Sequence, residues 1–97
     1  MKIYAAHRLK AAHEQLTLRS VLGVDGNLIS LGDSEALYEL NSPTDSAMST
    51  IRTRFGRPKE GRQGTTVLYV WEPQGLTLGV VLHVPKTGKP TLELYDR

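Results

Sequence analysis

Apolar and polar residues alternate in the last third of the chain, and a period of two residues predicts β-strands. Three such runs are rich in β-branched and aromatic residues, which favour strands. Connections built from Pro, Gly and polar residues separate the runs, as tight turns require. We therefore predict a C-terminal antiparallel meander with strands at 65–71, 76–84 and 91–95. In the third strand, Leu92 and Leu94 would point inward.

The first half of the chain has a mixed pattern. In residues 6–22, apolar side chains recur three and four residues apart, which predicts a helix. Residues 16–22 also alternate, so this part is either helix or strand. Short strands are predicted at 2–5 and 28–31. Residues 33–40 are predicted to form a brief helical turn.

A second helix is predicted over residues 42–55 from its start and stop signals. Ser42 is a suitable N-cap and Pro43 suits the first helical position. Gly56 suits the position after the last turn, and Pro58 prevents the helix from resuming. The predicted buried face contains Ala47, Met48, Ile51 and Phe55.

These elements predict an α+β fold in a single domain, residues 1–97. The antiparallel meander of the three C-terminal strands, which the short N-terminal strand can join, would be packed on one face by two helices, 6–22 and 42–55. The chain has 39% hydrophobic and 23% charged residues, which is ordinary for a folded domain.

Composition narrows the classes of protein. The chain has no cysteine, which excludes disulfides, thiolate metal sites and cysteine nucleophiles. No apolar run approaches the roughly 18 residues that a membrane span needs, so no membrane partner is expected. The first residues have no apolar signal core, so we expect a cytoplasmic location.

Charge is distributed unevenly along the chain. Residues 25–45 contain five carboxylates and no Lys or Arg, whereas residues 52–62 contain five cations and one acid, Glu60. Guanidinium groups match the oxygens of phosphates, so the basic segment predicts a polyanionic partner, either nucleic acid or an acidic protein. Alternatively, the two segments neutralise each other within the fold or across a dimer. The predicted binding residues are Arg52, Arg54, Arg57, Lys59 and Arg62.

The stretch 56–64 is predicted to be an irregular loop that is mobile when unbound. It contains three glycines, repelling charges and almost no apolar side chain apart from Pro58. Little burial would therefore offset the entropy lost on ordering it.

We predict no metal site and no cofactor. His7 and His13 are six residues apart, so they do not converge from one helix face, and His83 is on a distant strand. None of the serines occupies a nucleophile turn, and no glycine-rich run leads from a strand into a helix.

Val67, Tyr69 and Trp71 share one face of their predicted strand. This stripe has three interpretations: a dimer interface, a platform on which bases stack, or part of the core. An exposed stripe of this size is uncommon on a monomer. We therefore predict a homodimer built on the sheet surface.

The predicted order of strand, helix, helix and three-stranded meander resembles that of the small bacterial mRNA-cleaving toxins of the RelE kind. That resemblance implies RNA cleavage by Arg, Lys, Tyr and His side chains on the sheet. In this sequence His83, Tyr95, Arg54 and Arg52 would supply such groups.

The sequence thus supports two hypotheses from different classes. The first is a small, non-catalytic binding or regulatory protein, of the kind common on phages and mobile elements, whose basic segment contacts a polyanion. The alternative is an enzyme that cleaves RNA phosphodiesters. An enzyme requires His83 within reach of an arginine in a concave pocket, whereas a binding protein requires only a basic face.

Overall fold

The computed structural model describes residues 22–32, 35–75 and 78–96. Within them six strands form one antiparallel sheet in the order β1-β2-β6-β5-β4-β3, with one helix, α1, so the fold is α+β. No helix in these ranges is long and apolar enough to cross a membrane. The elements are β1 (Gly26–Leu31), β2 (Glu35–Leu40), α1 (Thr44–Phe55), β3 (Lys59–Gln63), β4 (Thr66–Trp71), β5 (Leu78–Val84) and β6 (Thr91–Asp96).

The predicted meander is confirmed and is longer than predicted. Strands β3 to β6 follow one another as antiparallel neighbours, and β6 then pairs with β2 of the β1–β2 hairpin. The predicted strand 28–31 lies within β1. The predicted strand 2–5, and all but the last residue of the predicted helix 6–22, lie outside the described residues.

The helical turn predicted over 33–40 was wrong, because residues 35–40 form strand β2. Ala36, Tyr38 and Leu40 are almost completely buried at alternate positions, whereas the residues between them are more exposed. Pairing with β6 on one side and β1 on the other supplies the backbone hydrogen bonds of this segment. A buried period of two residues therefore outweighed the helical spacing.

Strand β1 contains a β-bulge. Leu28 pairs with Tyr38 and Ser30 pairs with Leu37, so Ile29 is an extra residue without a partner in β2. Its side chain is 54% exposed.

One hydrophobic core joins one face of the sheet to α1. Ala47 and Ile51 of α1 are fully buried against it, and Met48 and Phe55 pack at its margin, as predicted for this helix. Leu92 and Leu94 of β6 point into the core, as predicted. The sheet contributes Ala36, Tyr38, Leu40, Trp71, Leu78, Val80, Leu82, Leu92 and Leu94, and the segment before β1 contributes Leu22 and Val24.

The predicted end of α1 before Gly56 is confirmed, whereas the predicted N-cap, Ser42, is wrong. Pro43, rather than Ser42, occupies the N-cap position, and no side chain caps the helix. At the other end Gly56 has φ 86°, and its N–H donates to the Arg52 carbonyl at 2.8 Å. This backbone conformation is open to glycine and strained for other residues.

The irregular loop predicted over 56–64 was also wrong, because residues 59–63 form strand β3. β3 pairs with β4 along its whole length, so backbone hydrogen bonds replace the missing apolar burial. The glycines mark the ends of this strand: Gly56 and Gly64 have positive φ and flank it. All five residues of β3 are exposed.

Candidate binding site

A concavity of about 600 Å³ lies where α1 ends, β3 begins and β4 ends. It brings cationic, aromatic and polar side chains together, and we call it the basic concavity. Its volume is within the range typical of ligand sites. The lining residues are Arg54, Phe55, Arg57, Lys59, Val70, Trp71, Glu72, Pro73 and Gln74.

Trp71 joins the two sides of the basic concavity. Its indole Nε1 donates a hydrogen bond of 2.9 Å to the carbonyl of Gly56, immediately after α1. The side chain is only 3% exposed, so it belongs to the core and to the wall of the concavity at once. The end of the helix is therefore fixed to the last residue of β4.

Arg54 is held against the segment that precedes β1. A Cβ placed on Gly23 would lie 3.0 Å from Nε and Nη2 of Arg54, so the guanidinium packs directly over the Gly23 backbone. Gly23 also has φ 75°, which favours glycine. A residue other than glycine at this position would therefore strain the backbone and displace the guanidinium of Arg54.

Arg57 and Lys59 are exposed cations at the other side of the concavity. Lys59 is the first residue of β3 and lies opposite Val70 of β4. Within the described ranges, neither Arg57 nor Lys59 forms a salt bridge. Their charges are therefore available to an anionic ligand.

Glu72 is the one carboxylate among the described residues that line the basic concavity. The Tyr95 hydroxyl donates to its Oε2 at 3.4 Å. The ring of Tyr95 lies over Gly79 on the neighbouring strand, where a Cβ would overlap it. Glu72 is thus exposed to solvent and accepts a hydrogen bond from Tyr95.

The structure divides the five predicted binding residues into two groups. Arg54, Arg57 and Lys59 line the basic concavity. Arg52 lies instead in a separate surface depression along α1, and Arg62 is exposed on β3 opposite Val67. Sequence spacing alone did not separate these groups.

The apolar stripe of β4 lies on the side of the sheet that faces α1. Trp71 pairs with Val80 in the core, and Tyr69 is half-buried against the same core. The core interpretation therefore holds for Trp71. Val67 is also half-buried, and the homodimer predicted from the stripe stays a prediction.

The residues of the enzymatic alternative do not come together. His83 bonds to Glu93, with 3.1 Å between Nε2 and Oε1, and lines a hollow of about 230 Å³ that contains no arginine among the described residues. Tyr95 lies opposite Gly79, roughly 13 Å along the sheet from His83 at 3.3 Å per residue. Arg54 lies at the end of α1, in the basic concavity.

The order of elements also differs from the one on which the resemblance to RNA-cleaving toxins rested. The described residues run as two strands, one helix and four strands. The segment interpreted as a helical turn is β2, and the segment interpreted as a loop is β3.

Sequence reasoning missed the residues that close the basic concavity. Glu72, Pro73 and Gln74 fall in the connection between the first two predicted C-terminal strands, which was interpreted only as a turn. The available signal was the position of that turn, directly after the aromatic end of a strand. Among the described residues, no group of three His, Asp or Glu side chains is arranged to hold a metal ion.

Comparisons with protein-family models, curated proteins and solved structures find no match for this chain.

Proposed function

We propose that this chain is a small, non-catalytic binding protein that holds a nucleic acid by its phosphates in the basic concavity. The observation that carries this proposal is the convergence of Arg54, Arg57 and Lys59 on one depression. Three cationic residues and a single acidic residue, Glu72, line it. Guanidinium and ammonium groups form strong, charge-assisted hydrogen bonds to phosphate oxygens, and a guanidinium can form two at once.

The cations are also unequal in a way that suits binding. Arg54 is exposed but packs against Gly23, so part of its side-chain freedom is already lost before it meets a ligand. Arg57 and Lys59 are exposed and can adapt to the path of a backbone. Half-buried Phe55 adds an apolar surface beside them, as sites for nucleic-acid strands commonly do.

Neutralisation by the acidic segment of the same chain is the competing interpretation of these charges. In the described part of the acidic segment, Glu39 forms a salt bridge with Lys89, with 3.9 Å between Oε1 and Nζ. Lys89 lies outside the basic segment. Arg57 and Lys59 take no part in such pairs within the described ranges. This favours an external anion as their partner.

The test is binding of a labelled single-stranded heptanucleotide at low salt, measured by fluorescence anisotropy. The variant R57A/K59A removes two cations from the concavity. The matched control R52A/R62A removes two cations of the same segment that lie outside it. We expect the first variant to lose about tenfold or more in affinity and the control less than about twofold, because charged hydrogen bonds to the ligand are lost only in the first.

Equal losses in the two variants would contradict the site. Both variants should keep the circular dichroism and thermal midpoint of the parent, since all four side chains are exposed. Polyglutamate serves as the probe for an acidic protein partner. Binding of polyglutamate without binding of the heptanucleotide would replace the nucleic acid with an acidic protein.

A further inference from the structure

We infer that the basic concavity reads a base of single-stranded nucleic acid, with Glu72 as the residue that selects guanine. This inference rests on the proposed function and names its ligand more closely. It begins from the carboxylate, which a site that bound only phosphate would not favour. Glu72 lines the same depression as the three cations and is tied to the Tyr95 hydroxyl.

The shape of the site favours a single strand over a duplex. Reading a duplex requires an element that projects into a groove, and the major groove is about 12 Å wide. Here the cations line a depression, with Phe55 and Pro73 among the apolar parts of its wall. A base that is free of its complementary strand can enter such a depression and lie against these apolar surfaces.

The chemistry of Glu72 favours guanine among the four bases. An ionised carboxylate only accepts hydrogen bonds, and its two oxygens can accept two parallel donors. The Watson–Crick edge of guanine presents two adjacent N–H donors. Adenine and cytosine present one amino donor beside a ring nitrogen that repels the carboxylate, and uracil presents one N–H between two carbonyls. That edge is accessible only in an unpaired base.

Tyr95 acts on this selection as a positioning residue. Its hydroxyl donates to Oε2 of Glu72 at 3.4 Å. Oε1 and the remaining lone pair of Oε2 can then accept the two donors of the base. The ring itself is held over Gly79 by packing. Tyr95→Phe therefore removes the hydrogen bond while the ring stays in place.

The experiment uses the fluorescence of Trp71, the one tryptophan of the chain, which forms part of the concavity wall and so reports occupancy there. The probes are RNA heptamers of uridine with guanosine, adenosine, cytidine or uridine at the centre. We expect the guanosine heptamer to bind about tenfold more tightly than the all-uridine one, the size of effect that a bidentate base contact gives.

Three variants separate the role of Glu72 from general charge. Glu72→Gln should abolish the preference for guanosine and strengthen binding of the all-uridine heptamer, because it replaces one acceptor with a donor and removes a negative charge. Glu60→Gln changes the net charge equally on β3, outside the concavity, and should keep the preference. Tyr95→Phe should reduce the preference and leave binding of the all-uridine heptamer unchanged.

The failure of this inference differs from the failure of the proposed function. If all four heptamers bind with equal affinity, or if a duplex of the same length binds more tightly than the single strands, the guanine site is wrong and the phosphate site stands. If no heptamer binds even at low salt, the proposed function fails as well.

Discussion

The indole of Trp71 donates a 2.9 Å hydrogen bond to the carbonyl of Gly56, which joins the end of β4 to the end of α1. Trp71→Phe should lower the free energy of unfolding by about 1–3 kcal/mol, because it leaves that carbonyl without its donor and removes buried volume. Chemical denaturation followed by circular dichroism measures the change without depending on tryptophan emission.

Tyr69→Phe is the matched control for this prediction. Tyr69 lies on the same face of β4, and its hydroxyl has no hydrogen-bond partner within the described ranges. Its loss should change the stability by less than about 0.5 kcal/mol. Equal effects of the two substitutions would show that the indole bond does not stabilise the fold.

Gly79 and Tyr95 should be energetically coupled. Gly79→Ala alone places a methyl group into the Tyr95 ring and should cost about 1–3 kcal/mol, as overpacking does. Tyr95→Ala removes the ring, so the alanine at position 79 should cost much less in that background. A double-mutant cycle by urea denaturation measures this coupling, and strictly additive effects would contradict the close contact.

The glycines around β3 should respond in opposite ways to alanine. Gly56→Ala should destabilise by about 1–3 kcal/mol, because φ 86° strains an alanine although the space around it is open. Gly61 is inside β3, without a positive φ and with nothing near its missing Cβ. Gly61→Ala should therefore be neutral or stabilise by roughly 0.5 kcal/mol through the unfolded chain.

Thermal denaturation of both glycine variants distinguishes strand β3 from a mobile loop over 56–64. A mobile loop would tolerate alanine equally at the two positions. A larger loss at position 61 than at position 56 would contradict the strand.

Binding should depend on salt according to the cations in the concavity. Three phosphate contacts on a single strand give a slope of about −2 in a plot of log affinity against log salt. Arg57→Ala should reduce this slope by about 1 or somewhat less, whereas Arg52→Ala, outside the concavity, should not change it. Isothermal titration at several salt concentrations measures both, and an unchanged slope for Arg57→Ala would remove it from the site.

The sequence predicted those elements whose signals are local. The predicted strands 65–71 and 91–95 and the predicted helix 42–55 correspond to β4, β6 and α1, and they follow from alternation, turn residues and a glycine stop. β2 was missed because its six residues are short enough to fit both periods, and only the neighbouring strands decide between them. β3 was missed because a strand of Lys, Glu, Gly, Arg and Gln has no apolar pattern at all.

The candidate site was predictable in its chemistry and not in its geometry. Net charge along the chain identified the basic segment, including Arg54, Arg57 and Lys59. Which cations line the basic concavity depends on where α1 ends and on which residue of β4 lies opposite Lys59. The local sequence does not show the second of these. Glu72 lines the site because the β4–β5 connection lies beside the end of α1. This proximity depends on the tertiary fold and leaves no local signal in the sequence.

The all-exposed strand β3 and the bulged strand β1 are the two outer strands of the described sheet. Outer strands invite edge-to-edge aggregation, and proteins prevent it with charges and bulges. β1 has the bulge at Ile29, whereas β3 has charged side chains, among them Lys59. Lys59 therefore places a charge on an outer edge of the sheet and also lines the basic concavity. Lys59→Glu would be the informative variant, since it repels a phosphate and still leaves the edge charged.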